Sequence, residues 1–505
     1  MRLLRHLRDH DLAPLLSVLL VCAFPCVFIY ARNAEEAAPS GMVPFLLVFL
    51  ATALLITLVA LPFFRNFSRA AFFTDAAMLV VINFSLVADR LEAWFPWLWS
   101  RYTLLLFAAL LAALFLLLLL KKPDLRIGCT LVAIAFAAIT LMNLALAAPD
   151  ILHAMQVEKP EVEPDTQTGI VFDRQDVNVY YFIFDEYGGY ESLLRYYDYD
   201  NSPFLDALAD RGFTVTRECR NPESVYTAAI CPNLLNLDYV VDFDTYGILT
   251  DYYMDNSYLV RMFSQNGYQV NLVNQDDFIG STGCNVLTSG QTKDSLSQYL
   301  LDNSLFKKIT PVRTFLARTL RFTEDDQIYD SLENALEAGL RCSSYAQDGP
   351  TLTLGYLCLP HSPLVIGRNG EHYRPKDKYN WRDQDLYLGQ LEYTSAYILQ
   401  LVDTIQADDP DALIILQSDH GCRYPMHLIQ VKASDWYEPE EENPYMQNIL
   451  NCVCYGGQRF DIEGSTGINT LRSVFNQVLG TDFESIDPVY DYFNYSPYIG
   501  SGKLR

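Results

Sequence analysis

Positive charge is scarce beyond the first third of this sequence. Residues 151–505 hold 25 Lys+Arg against 52 Asp+Glu, a formal −27, whereas residues 1–150 hold 11 against 9. Binding a phosphate backbone takes patches of Lys and Arg, and none is visible in the acidic part, which argues against nucleic acid as a partner. The acidity itself suits a large domain that must stay soluble. Ionisable residues are also nearly missing from the apolar runs of the first third, where Asp75 stands almost alone near one end of its run. A transport pathway would put charged or Gly/Pro-broken segments near the midplane of several helices, so this pattern argues against one. Asp75 reads instead as a carboxylate at a membrane interface. There is no internal repeat and no low-complexity tract.

What the first third does have is five apolar runs, near Leu12 to Tyr30, Met42 to Phe64, Ala71 to Ala88, Tyr102 to Leu120 and Ile127 to Ala148. At about 1.5 Å per residue each is long enough to cross a hydrocarbon core of about 30 Å. The third is the weakest, carrying Asp75 and Asn83. Arg2, Arg5 and Arg8 precede the first run, Arg65 and Arg69 follow the second, and Lys121, Lys122 and Arg126 follow the fourth, so those ends are expected to be cytoplasmic. The alternate loop Arg90 to Arg101 carries Trp94, Trp97 and Trp99, an interfacial aromatic belt. Four spans follow the first run and no small-residue cleavage site is evident, so that run is expected to be a retained anchor. An odd number of spans places everything after Ala148 outside the cell.

Cysteine speaks less clearly. Cys22, Cys26 and Cys129 fall in the apolar runs, and Cys219, Cys231, Cys284, Cys342, Cys358, Cys422, Cys452 and Cys454 fall beyond them. An even number outside permits disulfides, whose connectivity spacing cannot give. Cys452 and Cys454 alternate along an expected strand, share a face and are poor partners for each other.

After a Pro- and Glu-bearing connector near Pro149 to Asn178, β-rich runs alternate with helical patterns, which predicts a mostly parallel sheet flanked by helices. The expected strands are Val179 to Phe184, Phe213 to Thr216, Gln269 to Val273, Thr351 to Leu357, Ala412 to Leu416 and Asn451 to Tyr455. Helices are expected over Pro203 to Arg211 and Ser257 to Asn266, each followed by a glycine (Gly212, Gly267), and over Leu386 to Ile405. Ser281 to Phe322, polar and then helical, reads as an insertion.

Ligands of open parallel sheets gather at the carboxyl ends of strands. Three runs end there in ligand-type residues: the first at Asp185-Glu186, the Ala412 run at Ser418-Asp419-His420-Gly421, and the Thr351 run, after Cys358-Leu-Pro, at His361. A carboxylate from one strand with Asp and His from another is a usable ligand set for Mn²⁺ or Zn²⁺, with Mg²⁺ also open. A lone Asp after a strand is more often a turn or cap residue; the Ser-Asp-His-Gly tetrad is more specific. Between the strands, Asn221 to Asn236 offers a hydroxyl at Thr227 followed by small residues that suit a helix start. A metal on that oxygen would lower its pKa, and a helix N-terminus would favour an incoming anion. The plain alternative is that Ser224 or Thr227 caps a helix.

Asn-Val-x-Tyr-x-x-x-acid at Asn178 to Asp185, Thr-x-x-x-x-Pro at Thr227 to Pro232 and Ser-Asp-His-Gly at Ser418 to Gly421 occur in this order behind five apolar runs. Together they resemble the alkaline phosphatase superfamily, in its sulfatase-like membrane branch of lipoteichoic acid synthases and phosphoethanolamine transferases. The resemblance implies one divalent ion held by Asp185, Thr227, Asp419 and His420, with Thr227 as nucleophile toward the phosphorus of a lipid headgroup. That branch usually has Glu at the first strand, so Asp185 departs from it, and the adjacent Glu186 offers a second carboxylate for the same role. His361 is similar to the family histidine that contacts substrate. Arg423 and His427, just past the Ser-Asp-His-Gly tetrad, are candidates to pair with phosphate oxygens, the alternative for each being a plain surface position. True sulfatases carry Cys- or Ser-x-Pro-x-Arg, which Cys231-Pro232-Asn233 does not reproduce, and past residue 153 only His361, His372, His420 and His427 are present, which favours one metal over two.

The expectation is therefore an α/β protein: a five-helix transmembrane region over 1–150, a linker over 151–177, and an extracytoplasmic catalytic domain over 178–505. The expected activity moves phosphoglycerol or phosphoethanolamine from a membrane lipid donor to an envelope glycan or lipid acceptor. Hydrolysis of phosphate or sulfate esters differs only in what resolves the intermediate. A non-enzymatic sensor or scaffold is the third possibility, with 31 of 33 tyrosines past residue 150 available to stack on sugars.

Overall fold

The computed structural model describes residues 12–33, 42–157, 168–275, 279–320, 325–372, 383–424 and 443–490, apart from 96, 98, 243–244, 281, 290–294, 346–348, 460–461 and 463–465. The chain divides into two compact units, Met1–Val157 with Lys293–Glu324, and Glu158–Thr292 with Asp325–Arg505.

In the first unit the five apolar runs form helices α1 (Leu12–Arg32), α2 (Val43–Phe64), α3 (Phe67–Trp94), α4 (Ser100–Lys121) and α5 (Arg126–Gln156), all long and apolar enough to cross a membrane. The weakest run gives the 28-residue α3, whose N-terminus is capped by the Asn66 side chain accepting from the Arg69 N–H at 3.0 Å. Asp75 is buried inside this helical unit at 3 % exposure. The expected insertion also belongs partly here. Its helices Ser295–Asn303 and Thr310–Leu320, joined by a 3₁₀ turn at Leu305–Lys308, bury Leu300, Leu301 and Leu316 with Cys22, Phe49 and Ile82.

The second unit is built on a seven-stranded sheet: β1 (Val179–Phe184), β2 (Thr214–Val215), β3 (Gln269–Asn274), β4 (Asn285–Ser289), β5 (Thr351–Leu357), β6 (Leu413–Ser418) and β7 (Asn451–Tyr455), in the order β2-β7-β6-β1-β5-β3-β4. The six expected strands are present, and β4 is an addition found inside the expected insertion. Pairing is parallel from β6 through β4, while β7 runs antiparallel to β6 and β2 antiparallel to β7. All six residues of β1 are buried, as a central strand covered on both faces requires. Tyr180, Phe182 and Phe184 enter one core layer, and Val179, Tyr181 and Ile183 the other. Cys452 and Cys454 share a layer. The described cysteines are free thiols.

The helices Ser202–Asp210 and Tyr258–Gln265 end where expected, with Gly212 and Gly267 at φ +89° and +82°. The register then decides where chemistry can occur. Phe184 lies opposite Ser418 of β6 on one side and Leu357 of β5 on the other, so three strands release their chains side by side at one edge.

Candidate active site

At that edge β1 delivers Asp185 and Glu186, β6 delivers Asp419 and His420, and the loop after β5 delivers His361. Thr227 arrives as the first residue of the helix Thr227–Asn236, whose N-cap Tyr226 makes no side-chain capping bond. Asp185, Asp419 and His420 are buried, and Thr227 is half-buried, so a ligand set lies beneath a hydroxyl that remains reachable.

Their separations are informative. Thr227 Oγ1 lies 3.4 Å from Asp185 Oδ1 and 3.4 Å from His420 Nε2. His420 Nε2 lies 3.5 Å from Asp419 Oδ2 and 3.7 Å from Asp185 Oδ1. Four ligand atoms placed tetrahedrally at about 2.1 Å from one cation stand about 3.4 Å from each other, which these distances approach. They are too long for strong mutual hydrogen bonds. Asp419 Oδ2 has no hydrogen-bond partner although fully buried. His420 Nδ1 lies 2.8 Å from Gly421 O, so the proton sits there and the Nε2 lone pair faces the carboxylates. Burial raises the pKa of Asp185 and of Asp419, and lowers that of His420 to about 4, which keeps the imidazole neutral. The donor set therefore fits a divalent cation.

The rest of the shell fixes these atoms. Tyr356 on β5 donates to Asp185 Oδ2 at 2.8 Å. Asp419 Oδ1 accepts the backbone N–H of Glu186 at 3.0 Å and of His420 at 2.8 Å. Asn221 donates to Asp419 O at 2.5 Å and accepts from Gly467 N at 3.0 Å, which pins the turn after β6. Gly421 has its place because a Cβ there would stand 2.4 Å from Asn448 O and 2.7 Å from Met446 O. Close approach of backbone selects glycine here.

A second cluster adjoins the first. Arg423 gives its backbone N–H to Glu186 Oε1 and its Nη2 to Glu186 Oε2, both at 3.0 Å, and Nη2 also lies 2.6 Å from His361 Nε2. Glu186 is thus a partner of Arg423, not a fifth member of the ligand cluster. Its φ of 58° is a left-handed conformation costly for a residue with a Cβ, by roughly 1–2 kcal/mol. Such a cost is sustained where the surroundings over-determine it. Sequence reasoning thus brings together Asp185, Thr227, Asp419 and His420 in one cluster and His361 with Arg423 in the next. It missed Tyr356, Asn221 and the true partner of Glu186. His427 lies outside the described residues.

The profile of a family described as Sulfatase matches residues 178–447. No curated protein matches the chain. Among solved structures, the chain is similar to the C-terminal periplasmic domain of EcEptC from Escherichia coli in complex with Zn, at 13 % identity and TM-score 0.42, over 66 % of this chain and 90 % of that one. It is similar also to the soluble domain of lipooligosaccharide phosphoethanolamine transferase A from Neisseria meningitidis, at 13 % identity and TM-score 0.36, over 57 % and 80 %. A third is the phosphonate monoester hydrolase of Agrobacterium radiobacter, at 12 % identity and TM-score 0.38, over 61 % and 74 %.

Proposed function

From the premise that the chain belongs to the sulfatase family of the alkaline phosphatase superfamily, and is an enzyme, we propose that it transfers a phospholipid headgroup at the outer membrane surface. In this proposal residues 1–150 anchor the enzyme, 151–177 link, and 178–505 form an extracytoplasmic catalytic domain from which Lys293–Glu324 returns to the anchor. The donor is a glycerophospholipid carrying phosphoglycerol or phosphoethanolamine, and the acceptor is a hydroxyl of an envelope glycan or lipid. The observation that carries this is the half-buried Thr227 hydroxyl, 3.4 Å from both Asp185 and His420, in a chain with five helices able to cross a membrane.

Asp185, Asp419 and His420, with Thr227, would hold one divalent ion: Mn²⁺, Zn²⁺ or Mg²⁺. When bound, such an ion lowers the pKa of a coordinated hydroxyl and offsets phosphate charge. Thr227 Oγ1 forms a bond to phosphorus as the bond to the diacylglycerol oxygen breaks, and the hydroxyl proton leaves with diacylglycerol. The acceptor hydroxyl then displaces Thr227, which recovers its proton. The helix N-terminus at Thr227 favours the phosphate, and Arg423 with His361 steadies its oxygens.

Intact-mass measurement of the full chain with Mn²⁺ and glycerophospholipids tests this. The expected result is an adduct with the mass of the transferred group, absent from Thr227→Ala. An adduct that persists in the alanine variant removes Thr227 as nucleophile.

A further inference from the structure

The stretch Ser295–Leu320 is set apart by charge and by what it touches. Its side chains include Lys307, Lys308, Arg313 and Arg318 against Asp302 alone, inside the part of the chain that carries −27 overall. Within the first unit it is seated on one end of three helices. Phe306 stacks on Phe49 at 6.3 Å between ring centres, the Ser85 hydroxyl donates to Ser304 O at 2.7 Å, and Lys308 Nζ pairs with Asp89 at 3.1 Å. Phe49 is six residues, about 9 Å at 1.5 Å per residue, inside the Val43 end of α2, so Phe306 packs against the first two turns of that helix. Ser85 and Asp89 lie near the C-terminal end of α3. Loop charge makes these ends of α2 and α3 extracytoplasmic.

Leu300, Leu301 and Leu316 fill the inward face. Tyr299, Ile309 and Phe315 are 51 %, 40 % and 65 % exposed on one short stretch. Past residue 157, exposed large apolar side chains also occur singly at Val171, Leu194, Val286 and Tyr345 and as the adjacent pair Val489 and Tyr490. Single exposed apolar residues need no explanation, but three beside lysines on helices already docked at membrane-spanning ends have the composition of an interfacial segment. Tyr299 suits the headgroup level.

We infer that Ser295–Leu320 is a membrane-interfacial element whose Tyr299, Ile309 and Phe315 insert into the lipid layer around α1–α3. The occupant of this face is the phospholipid of the extracytoplasmic leaflet. This does not depend on the transfer chemistry and stands or falls separately from it.

A photoreactive benzophenone amino acid replacing Phe315, and in a second protein Ile309, tests it. The full chain is reconstituted in phosphatidylethanolamine/phosphatidylglycerol vesicles and irradiated, and adducts are identified by mass, with the same amino acid at Leu194 as reference. Several-fold more lipid adduct at 315 and 309 than at 194 is the expected result. Equal yields, or adducts to a second copy of this chain in place of lipid, overturn the inference. Both positions are exposed, so an aromatic replacement leaves the buried face undisturbed.

Discussion

Glu186 holds Arg423 at two points, through the Arg423 backbone N–H and through Nη2, each at 3.0 Å, and so ties the residue after β1 to the turn after β6. The pair is nearly sealed, at 12 % side-chain exposure for Arg423 and 2 % for Glu186. Burial opposes the charge on Arg423, yet Glu186 outweighs it and the guanidinium is held protonated beyond its ordinary range. The result is a held cation 5.9 Å from the ring centre of Tyr226, the residue before Thr227.

Glu186→Gln keeps the shape and removes the charge. Breaking one partner of a buried pair costs about 3–5 kcal/mol, and loss of a positioned cation lowers turnover by roughly 10²–10³-fold. Metal content of the purified variant should match that of the parent, measured by elemental analysis beside headgroup transfer. Loss of the metal along with turnover would make Glu186 a ligand instead.

Tyr356→Phe removes only the hydroxyl that donates to Asp185 Oδ2 at 2.8 Å, leaving a buried ring in place. Hydrogen bonds to metal ligands typically carry about 10–100-fold in affinity, so that weakening is expected in a competition against a chelator. The fold should survive, seen as an unchanged far-UV spectrum. An unchanged metal affinity would show that Asp185 needs no such support.

How far the sequence carried is visible in these same residues. Asp185, Asp419 and His420 could be found because parallel strands end together and apolar runs mark where they end. Thr227 could be found because small residues follow a hydroxyl at a helix start. Tyr356 could not, because its usefulness depends on β5 lying next to β1 with Ile183 opposite Tyr356, a register no local pattern records. Glu186 sits beside a proposed ligand and looks like one; in the structure, at a left-handed φ of 58°, its carboxylate meets Arg423. β4 escaped because Asn285–Ser289 is short and lies in a polar stretch.

Glu223 yields a prediction about pH. It is 5 % exposed, and neither carboxylate oxygen is hydrogen-bonded. Asn233, which faces it, gives its Nδ2–H to Val241 O at 2.9 Å. Burial pushes the Glu223 pKa up from an ordinary 4.5 to about 8. The folded chain therefore keeps a proton through an interval in which the unfolded chain has lost it. Stability from this group is full below pH 4.5 and falls as pH rises to about 8, by about 1.4 kcal/mol per unit at most, and is level above that. Glu223→Gln cannot ionise, so the difference in Tm between variant and parent should shift in favour of the variant as pH is raised across this interval. Other titrating groups act alike in both proteins and cancel in the difference. Thermal melts of the two full chains in the same detergent, taken at steps of pH, measure it. A Tm difference that stays constant with pH would mean that Glu223 ionises in the folded state as it does in water.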